Sequence, residues 1–320
     1  MNYRAALLGL SLAVASMLPV TAQDAFPVTV DHAFGQTTID ARPERIVTLS
    51  WMNQEAMIAL GVKPVAIQFQ GWGGDEQGYL PWIKEAYEAM GEALPPNINT
   101  TDGIPFEEIL GYEPDLIFAA YAGFEQADYE RLSAIAPVVP YRDAPWTGTW
   151  QYVVETAGMV LGESEKAAAI VEETKARLAS YKQDYPIIEG KTFVFSGGTS
   201  DGSTVGLYIP ADPRVGLMTD IGLVPAAALY DLPTDSFNQP YSIERLEALE
   251  ADVYIGWFND QAGVDSLLNN ELVSRWAPVA QGHVVPVIDR ASVMALSAPS
   301  PLSIPWMMDR FVPELAAALE

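Results

Sequence analysis

Two stretches of the chain, 137 positions apart, carry nearly the same pattern, and that repetition limits what the chain can fold into. The first runs Phe106-Glu107-Glu108-Ile109-Leu110 and then Glu113-Pro114-Asp115-Leu116-Ile117-Phe118; the second runs Ile243-Glu244-Arg245-Leu246 and then Glu250-Ala251-Asp252-Val253-Tyr254-Ile255. Each reads as a short helix with an exposed glutamate, a turn, and a buried strand. Glu107 precedes Asp115 by eight positions, as Glu244 precedes Asp252. A repeat of this kind predicts two similar lobes, each presenting a carboxylate at an equivalent place. The plainer reading is that any two amphipathic α/β units look alike.

The length of 320 residues is that of a two-domain protein, and 49% hydrophobic content fills two cores. The first residues are set apart. Arg4 precedes a short apolar run, Ala6 to Leu18, and Val20-Thr21-Ala22 has the small-residue spacing of a signal-peptidase site. A leader over residues 1–22 is predicted, with the mature chain starting at Gln23 and exported. There is no cysteine, which removes disulfides, thiolate metal sites, cysteine nucleophiles and the lipid-modified cysteine that tethers many exported proteins. Export without a tether predicts the periplasm. The net charge of −25 repels nucleic acid and anionic lipid.

In the first half, strands are predicted at 45–50, 64–69, 115–121 and 138–141, with helices at 53–60, 80–90, 106–110 and 129–136, and a hairpin over 32–40. The alternation is that of a βαβ series with a parallel sheet. In the second half, strands are predicted at 192–196, 204–209, 253–258 and 284–288, and helices at 213–221, 242–249, 264–270 and 302–319. Between them, Ile170, Thr174, Leu178, Tyr181 and Tyr185 recur at helical spacing, with Ser164 as N-cap and Pro186 as stop. This predicts a stiff strut, or else an ordinary crossover helix in one large sheet. With the strut, the fold class is α/β: two Rossmann-like lobes (23–162 and 187–320) joined by a single long helix (163–186).

No Gly-x-Ser-x-Gly elbow and no Walker-type loop occur. Ser196-Gly197-Gly198-Thr199-Ser200-Asp201-Gly202 follows a strand without the helix a phosphate site needs. His32 and His283 are the only histidines, read as surface or turn residues, and two imidazoles are too few for a transition-metal cluster of the usual kind. Aromatic residues fall at predicted strand ends and the loops after them: Trp51, Trp72, Tyr79, Tyr121, Trp146, Tyr208 and Trp257. Ligands of open α/β sheets sit beyond the strands' carboxyl ends, so these residues are the candidate walls of a cleft for a large, partly apolar ligand. Arg142 and Arg290 also follow strands and are candidates for meeting anionic oxygen, unless each only pairs with a neighbouring aspartate.

Pro43-Glu44-Arg45-Ile46-Val47-Thr48-Leu49-Ser50 with Glu55 and Ala59-Leu60-Gly61-Val62, Glu113-Pro114-Asp115-Leu116-Ile117, Ile135-Ala136-Pro137-Val138-Val139, and Gly162 with Glu165-Lys166-Ala167 resemble, in order and spacing, the siderophore- and cobalamin-type periplasmic binding proteins. Asp75 to Leu80, and Tyr208-Ile209-Pro210 through Leu217 and Leu223, are most similar to the ferric-enterobactin branch. The resemblance implies a ligand held between two lobes with little closure, a monomer without catalysis or cofactor of its own, and delivery to an inner-membrane ABC transporter permease. Glu107 and Glu244 match the glutamates by which related proteins dock on permease arginines. Iron would enter only as part of a ferric siderophore. Catecholate-binding relatives line the cleft with several arginines and this chain offers few, so a hydroxamate, mixed-ligand or less charged chelate fits as well. Haem or a corrinoid is the alternative ligand. A secreted hydrolase is the alternative from another class, although nothing places a nucleophile beside a base.

Overall fold

A computed structural model describes residues 25–197, 202–234 and 236–320. The expected leader and the core of the glycine-rich stretch after Gly197 lie outside the described residues. An antiparallel hairpin opens the fold, β1 (Val28–His32) on β2 (Gly35–Ile39), with Val28 opposite Ile39 and His32 opposite Gly35. The βαβ series follows: β3 (Ile46–Thr48), α1 (Asn53–Ala59), β4 (Ile67–Gln68), α2 (Pro81–Met90), β5 (Asn97–Ile98), α3 (Phe106–Gly111), β6 (Leu116–Ala119), α4 (Gln126–Ser133) and β7 (Val138–Pro140). Strands β3, β6 and β7 pair in parallel, as do β4 and β5. A parallel bridge between Val47 and Ala66, with Thr48 N–H on the Ala66 carbonyl at 3.1 Å, joins the two groups into one layer ordered β5-β4-β3-β6-β7.

Two helices come next, α5 (Trp150–Leu161) and α6 (Ser164–Asp184). The 21 residues of α6 extend about 31 Å at 1.5 Å per residue. Ala167, Val171, Thr174, Leu178 and Tyr181 form its buried stripe, and Ile170 and Tyr185 pack beside it. Glu163, not Ser164, occupies the cap position, so the helix begins one residue earlier than capping chemistry suggests. Gly158 explains how closely α5 and α6 approach: a Cβ there would come within 2.3 Å of the Ala167 Cβ.

The second half contains β8 (Thr192–Gly197), β9 (Thr204–Tyr208), α7 (Pro213–Asp220), β10 (Val224–Pro225), β11 (Asn238–Ser242), β12 (Val253–Trp257), α8 (Gln261–Leu268), α9 (Ala277–Gln281), β13 (Val284–Val287), α10 (Arg290–Ser297) and α11 (Ser303–Ala318). Its sheet runs β11-β9-β8-β12-β13, with β10 beside the start of β8. Strands β8, β12 and β13 are parallel, and β9 runs antiparallel to both its neighbours, β8 and β11. Among the described residues no strand of one half pairs with a strand of the other, so besides the β1–β2 hairpin they form one sheet per half, and α6 runs between these in sequence.

The period-two alternation of strand side chains decides the layers. Ile46, Leu116, Phe118 and Val139 of the first sheet and Phe193, Phe195, Val253, Ile255, Val285 and Val287 of the second share one apolar core. Val153, Val154 and Leu161 of α5, Val171 and Leu178 of α6, and Met308 and Phe311 of α11 fill the space between them. The intervening residues face outward into separate cores, Val47, Ile117, Ala119 and Val138 on one side and Val194 and Tyr254 on the other. The inner faces of both halves are thus one body, while each outer face has its own helices.

Candidate functional site

Trp51 lies in the connection from β3 to α1 and is flanked by two left-handed residues, Ser50 at φ 69° and Met52 at φ 65°. Such conformations cost about 1 kcal/mol or more for residues other than glycine, so something must hold them. Asn53, fully buried, does so. Its Nδ2 donates to the carbonyls of Leu49 at 2.7 Å, Trp51 at 2.9 Å and Tyr121 at 2.9 Å, and its Oδ1 accepts from the Tyr121 N–H at 3.2 Å. One side chain therefore fixes the loops that carry Trp51 and Tyr121. Trp146 is also left-handed, at φ 62°, with its N–H on the Ala122 carbonyl at 3.1 Å. Its ring lies so close over Gly123 that a Cβ there would come within 2.2 Å of the indole. The ring centroid of Trp146 is 5.3 Å from that of Trp51 and 5.5 Å from that of Tyr121, and 46% of the residue is exposed.

The second half contributes Trp257, at the end of β12. Its Nε1–H donates to the Tyr208 hydroxyl at 2.7 Å. The buried Tyr208 ring packs edge-on to Phe195 at 5.2 Å and stacks on the exposed Phe237 at 6.3 Å. Trp72, from the loop after β4 in the first half, meets Trp257 edge-on at 6.1 Å. The neighbouring Gly73, at φ 88°, lets that loop lie against α10: a Cβ there would sit 2.9 Å from the Met294 Cβ. Trp72 and Trp257 thus form an aromatic contact across the seam between halves.

Arg214, in the first turn of α7, is the cation of this wall. Its guanidinium lies 4.4 Å from the Tyr208 ring centroid, donates from Nη1 to both Asp212 oxygens at 3.2 and 2.9 Å, and donates from Nε to the Ser297 hydroxyl at 3.0 Å. Burial raises the Asp212 carboxyl above the usual range, opposed by Arg214. Burial likewise raises the Tyr121 and Tyr208 hydroxyls, and the charge of Arg214 pulls both back. Tyr121 belongs to the first half and Arg214 to the second, so their mutual influence marks the seam from both sides. Asp212-Pro213-Arg214 reads in sequence as an ordinary capped helix start, and indeed the Asp212 Oδ1 accepts the Arg214 N–H at 2.8 Å. Nothing in that pattern distinguishes a guanidinium facing a cleft.

The other candidates are more dispersed. Arg142 pairs with Asp143 at 2.8 Å and lies 4.8 Å from the Tyr152 ring centroid, on the exposed rim of the first half. Arg290 opens α10, exposed, with no ion pair to a described residue; its carbonyl lies 3.1 Å from where a Gly73 Cβ would be. Tyr79 is not brought to the tryptophans: its hydroxyl donates to the Pro95 carbonyl at 2.7 Å. Two surface hollows of about 570 and 470 Å³ lie along α2, the first against Trp306 and Arg310 of α11, the second reaching Tyr79. Neither is lined by Trp51, Trp72, Trp146 or Trp257, so the aromatic seam, not the hollows, gathers the chemistry. Glu107 and Glu244 are exposed on helices that precede parallel strands, which places both first turns toward the strands' carboxyl ends.

His32 is buried, not superficial, bonded through Nε2 to the Thr37 hydroxyl at 2.9 Å; burial lowers its pKa, with Asp31 opposing. His283 Nδ1 contacts the Asp252 carbonyl at 3.0 Å. Among the described residues no three His, Asp or Glu side chains converge as metal ligands, and no helix is long and apolar enough to cross a membrane.

Residues 46–290 match the family described as periplasmic binding protein. The chain is 30% identical over 155 residues to the probable siderophore-binding lipoprotein YfiY of Bacillus subtilis, which covers 48% of this chain and 44% of that one. It is 27% identical over 213 residues to the Fe(3+) dicitrate-binding periplasmic protein FecB of Escherichia coli, covering 63% and 64%. The matches therefore span less than two thirds of either relative's own length. Among solved structures, Streptococcus pneumoniae PiaA in complex with ferrichrome superposes with a TM-score of 0.82 at 30% identity, covering 91% of this chain and 98% of that one.

Proposed function

The chain belongs to the periplasmic binding protein family, and from that premise we propose that it captures a ferric siderophore between its halves and hands it to an inner-membrane ABC importer. The observation that carries this reading is the seam itself. Trp51, Trp146 and Trp72 come from the first half and Trp257 and Arg214 from the second, and together they supply apolar ring faces and one guanidinium along the seam. Indole faces pack the organic backbone of a chelate, and a guanidinium donates to iron-bound oxygen. The iron is cargo, already coordinated, so no protein ligand to it is required. Capture of this kind involves no bond-breaking step. The relatives' names support the substrate class: a siderophore-binding lipoprotein, a ferric dicitrate-binding protein and a ferrichrome complex.

Delivery is proposed to use Glu107 and Glu244. Both are exposed, and neither side chain bonds to a described residue. Rim carboxylates of this sort set encounter rate and register more than affinity. The protein is proposed to act as a monomer in the periplasm, exported by its leader, with no cysteine to carry a lipid.

Tryptophan fluorescence titration tests the capture. Ferric siderophores should quench and saturate, while haem and cobalamin should not. Saturable binding of haem or cobalamin alone would replace the siderophore by a tetrapyrrole.

A further inference from the structure

Each arginine weighed as a ligand contact has an aspartate within two positions: Arg142 has Asp143, Arg214 has Asp212 and Arg290 has Asp289. For Arg214 the pairing is built in. Asp212 is 2% exposed by its side chain and Arg214 15%, and the carboxylate takes both Nη1 contacts and the backbone N–H. Ser297 of α10 takes Nε. No bond from Nη2 to a described residue accompanies these, so Nη2 is the edge of the fork left to turn toward the seam.

A guanidinium held this way still donates hydrogen bonds but brings no net charge. That matters because ferric chelates differ most in charge. Iron(III) with three hydroxamates is neutral, since three single negative charges cancel three positive ones. Iron(III) with three catecholates carries −3, and ferric citrate complexes are also anionic. Enclosing a multiply charged anion away from water requires matched countercharge. Here the buried cation is already matched, the surrounding indole faces present the negative side of their quadrupole, and the whole chain carries −25.

We propose that Asp212 sets the charge preference of the seam: by neutralising Arg214 it makes the site one for neutral or singly cationic ferric hydroxamate chelates and rejects trianionic catecholates. This deepens the capture reading and rests on it. Asp212 acts through Arg214 and is a positioning residue, so its removal should change selectivity between chelates and not only overall affinity.

The test is a tryptophan-quenching titration of the mature protein with four probes: ferrichrome (neutral), ferrioxamine B (carrying one free ammonium), ferric citrate and ferric enterobactin (−3). For the wild type, the dissociation constant for ferric enterobactin should exceed that for ferrichrome by about a hundredfold, with ferrioxamine B close to ferrichrome. Asp212→Asn frees one positive charge and should narrow that ratio by about tenfold, more in low salt than in high. The double variant D212N/R214Q is neutral again and should return the ratio toward the wild-type value, with weaker binding of every probe. The double variant also guards against a folding artefact, because damage to α7 would not restore selectivity. Ferric enterobactin binding as tightly as ferrichrome, or a ratio unmoved by D212N, would overturn the proposal while leaving capture intact. Quenching by none of the four would instead overturn the capture reading beneath it.

Discussion

The two copies of the helix–turn–strand pattern invite comparison. Asp115 donates its N–H to the Arg45 carbonyl at 2.9 Å, and its carboxylate accepts the N–H groups of Glu44 at 2.7 Å and Arg45 at 2.8 Å. Asp252 donates its N–H to the Thr192 carbonyl at 2.9 Å and accepts from the Thr192 N–H at 2.7 Å and hydroxyl at 2.8 Å. Each repeated aspartate clasps the head of the neighbouring parallel strand, β3 in one half and β8 in the other. The preceding helices differ: α3 is α-helical, while Ile243–Ala248 is a tighter 3₁₀ turn capped by Ser242. The carboxylates of the repeated glutamates bond to nothing described. The comparison separates two causes of repetition. The fold accounts for the aspartates through their side-chain bonds, whereas the glutamates are alike without any side-chain bond to account for them, as expected of surfaces read by something outside.

The largest effects should come from the paired strand positions three residues after each aspartate, Phe118 and Ile255, both fully buried in the shared core. Alanine at either should lower stability by about 3–5 kcal/mol. Because the inner core is one body, calorimetry should record a single transition that moves with both variants. Two transitions, each sensitive to one substitution, would show the halves to be independent.

A group without a counterpart in the second copy comes next. Glu55 is buried, its Oε1 takes the Trp82 Nε1–H at 3.0 Å, and its Oε2 has no partner. Burial pushes its pKa up to about 7, against the Trp82 hydrogen bond. A folded-state pKa raised above the unfolded value of 4.5 means the folded chain holds the proton more tightly. That contribution to stability is complete below pH ~4.5 and is lost as pH rises to ~7, a loss of up to about 3 kcal/mol at 1.36 kcal/mol per unit. Glu55→Gln should therefore raise the melting temperature at pH 8 and leave it nearly unchanged at pH 4. An equal shift at both would mean the carboxyl is not neutral when folded.

The clasps should contribute less. Asp115→Ala and Asp252→Ala should each cost about 1–2 kcal/mol in urea unfolding, since both carboxylates remain partly hydrated. Asp252 should cost more: although burial pushes its pKa up, the Thr192 bonds and Lys191 hold it below the usual range. Unequal losses in the opposite order would break the equivalence of the copies. The smallest change in stability is expected for E107A/E244A, which should leave unfolding and ligand affinity within error while iron uptake in cells falls. Weakened binding by the purified double variant would assign these glutamates to the ligand instead.

Much of this architecture could be read from the chain. The eight strand segments expected from apolar runs all appear, seven of them trimmed at the ends and β8 one residue longer, and the helix after Glu163 is present at nearly its predicted length. What escaped reading has physical causes. Helix α5 does carry a buried stripe, Trp150, Val153, Val154, Ala157 and Leu161, but it follows a glycine- and proline-containing loop with no charged first turn to mark its start. Strand β11 carries Pro240 and sits at the sheet edge, where proline is tolerated. Strand β5 is two residues inside a proline- and asparagine-rich stretch. In the candidate site, Trp51, Trp146, Trp72 and Trp257 stood out because large rings at strand ends are unusual. Arg214 and Asn53 did not, because the one looks like a helix-start residue and the other like its first turn. Their roles depend on partners, Ser297 and Tyr121, that lie 83 and 68 positions away.

Parting the halves like the covers of a book would bring Phe118, Phe195, Ile255 and Met308 toward water, at roughly 2 kcal/mol for each such side chain. Thermal motion does not supply that sum. Under the proposed capture reading, loading and unloading work at the margin, by shifting the loops around Trp51, Trp72 and Trp146 while the spine stays shut. A carrier built this way would present much the same outline full or empty, and what tells a receiver that cargo is aboard would have to be written in those few indole-bearing loops.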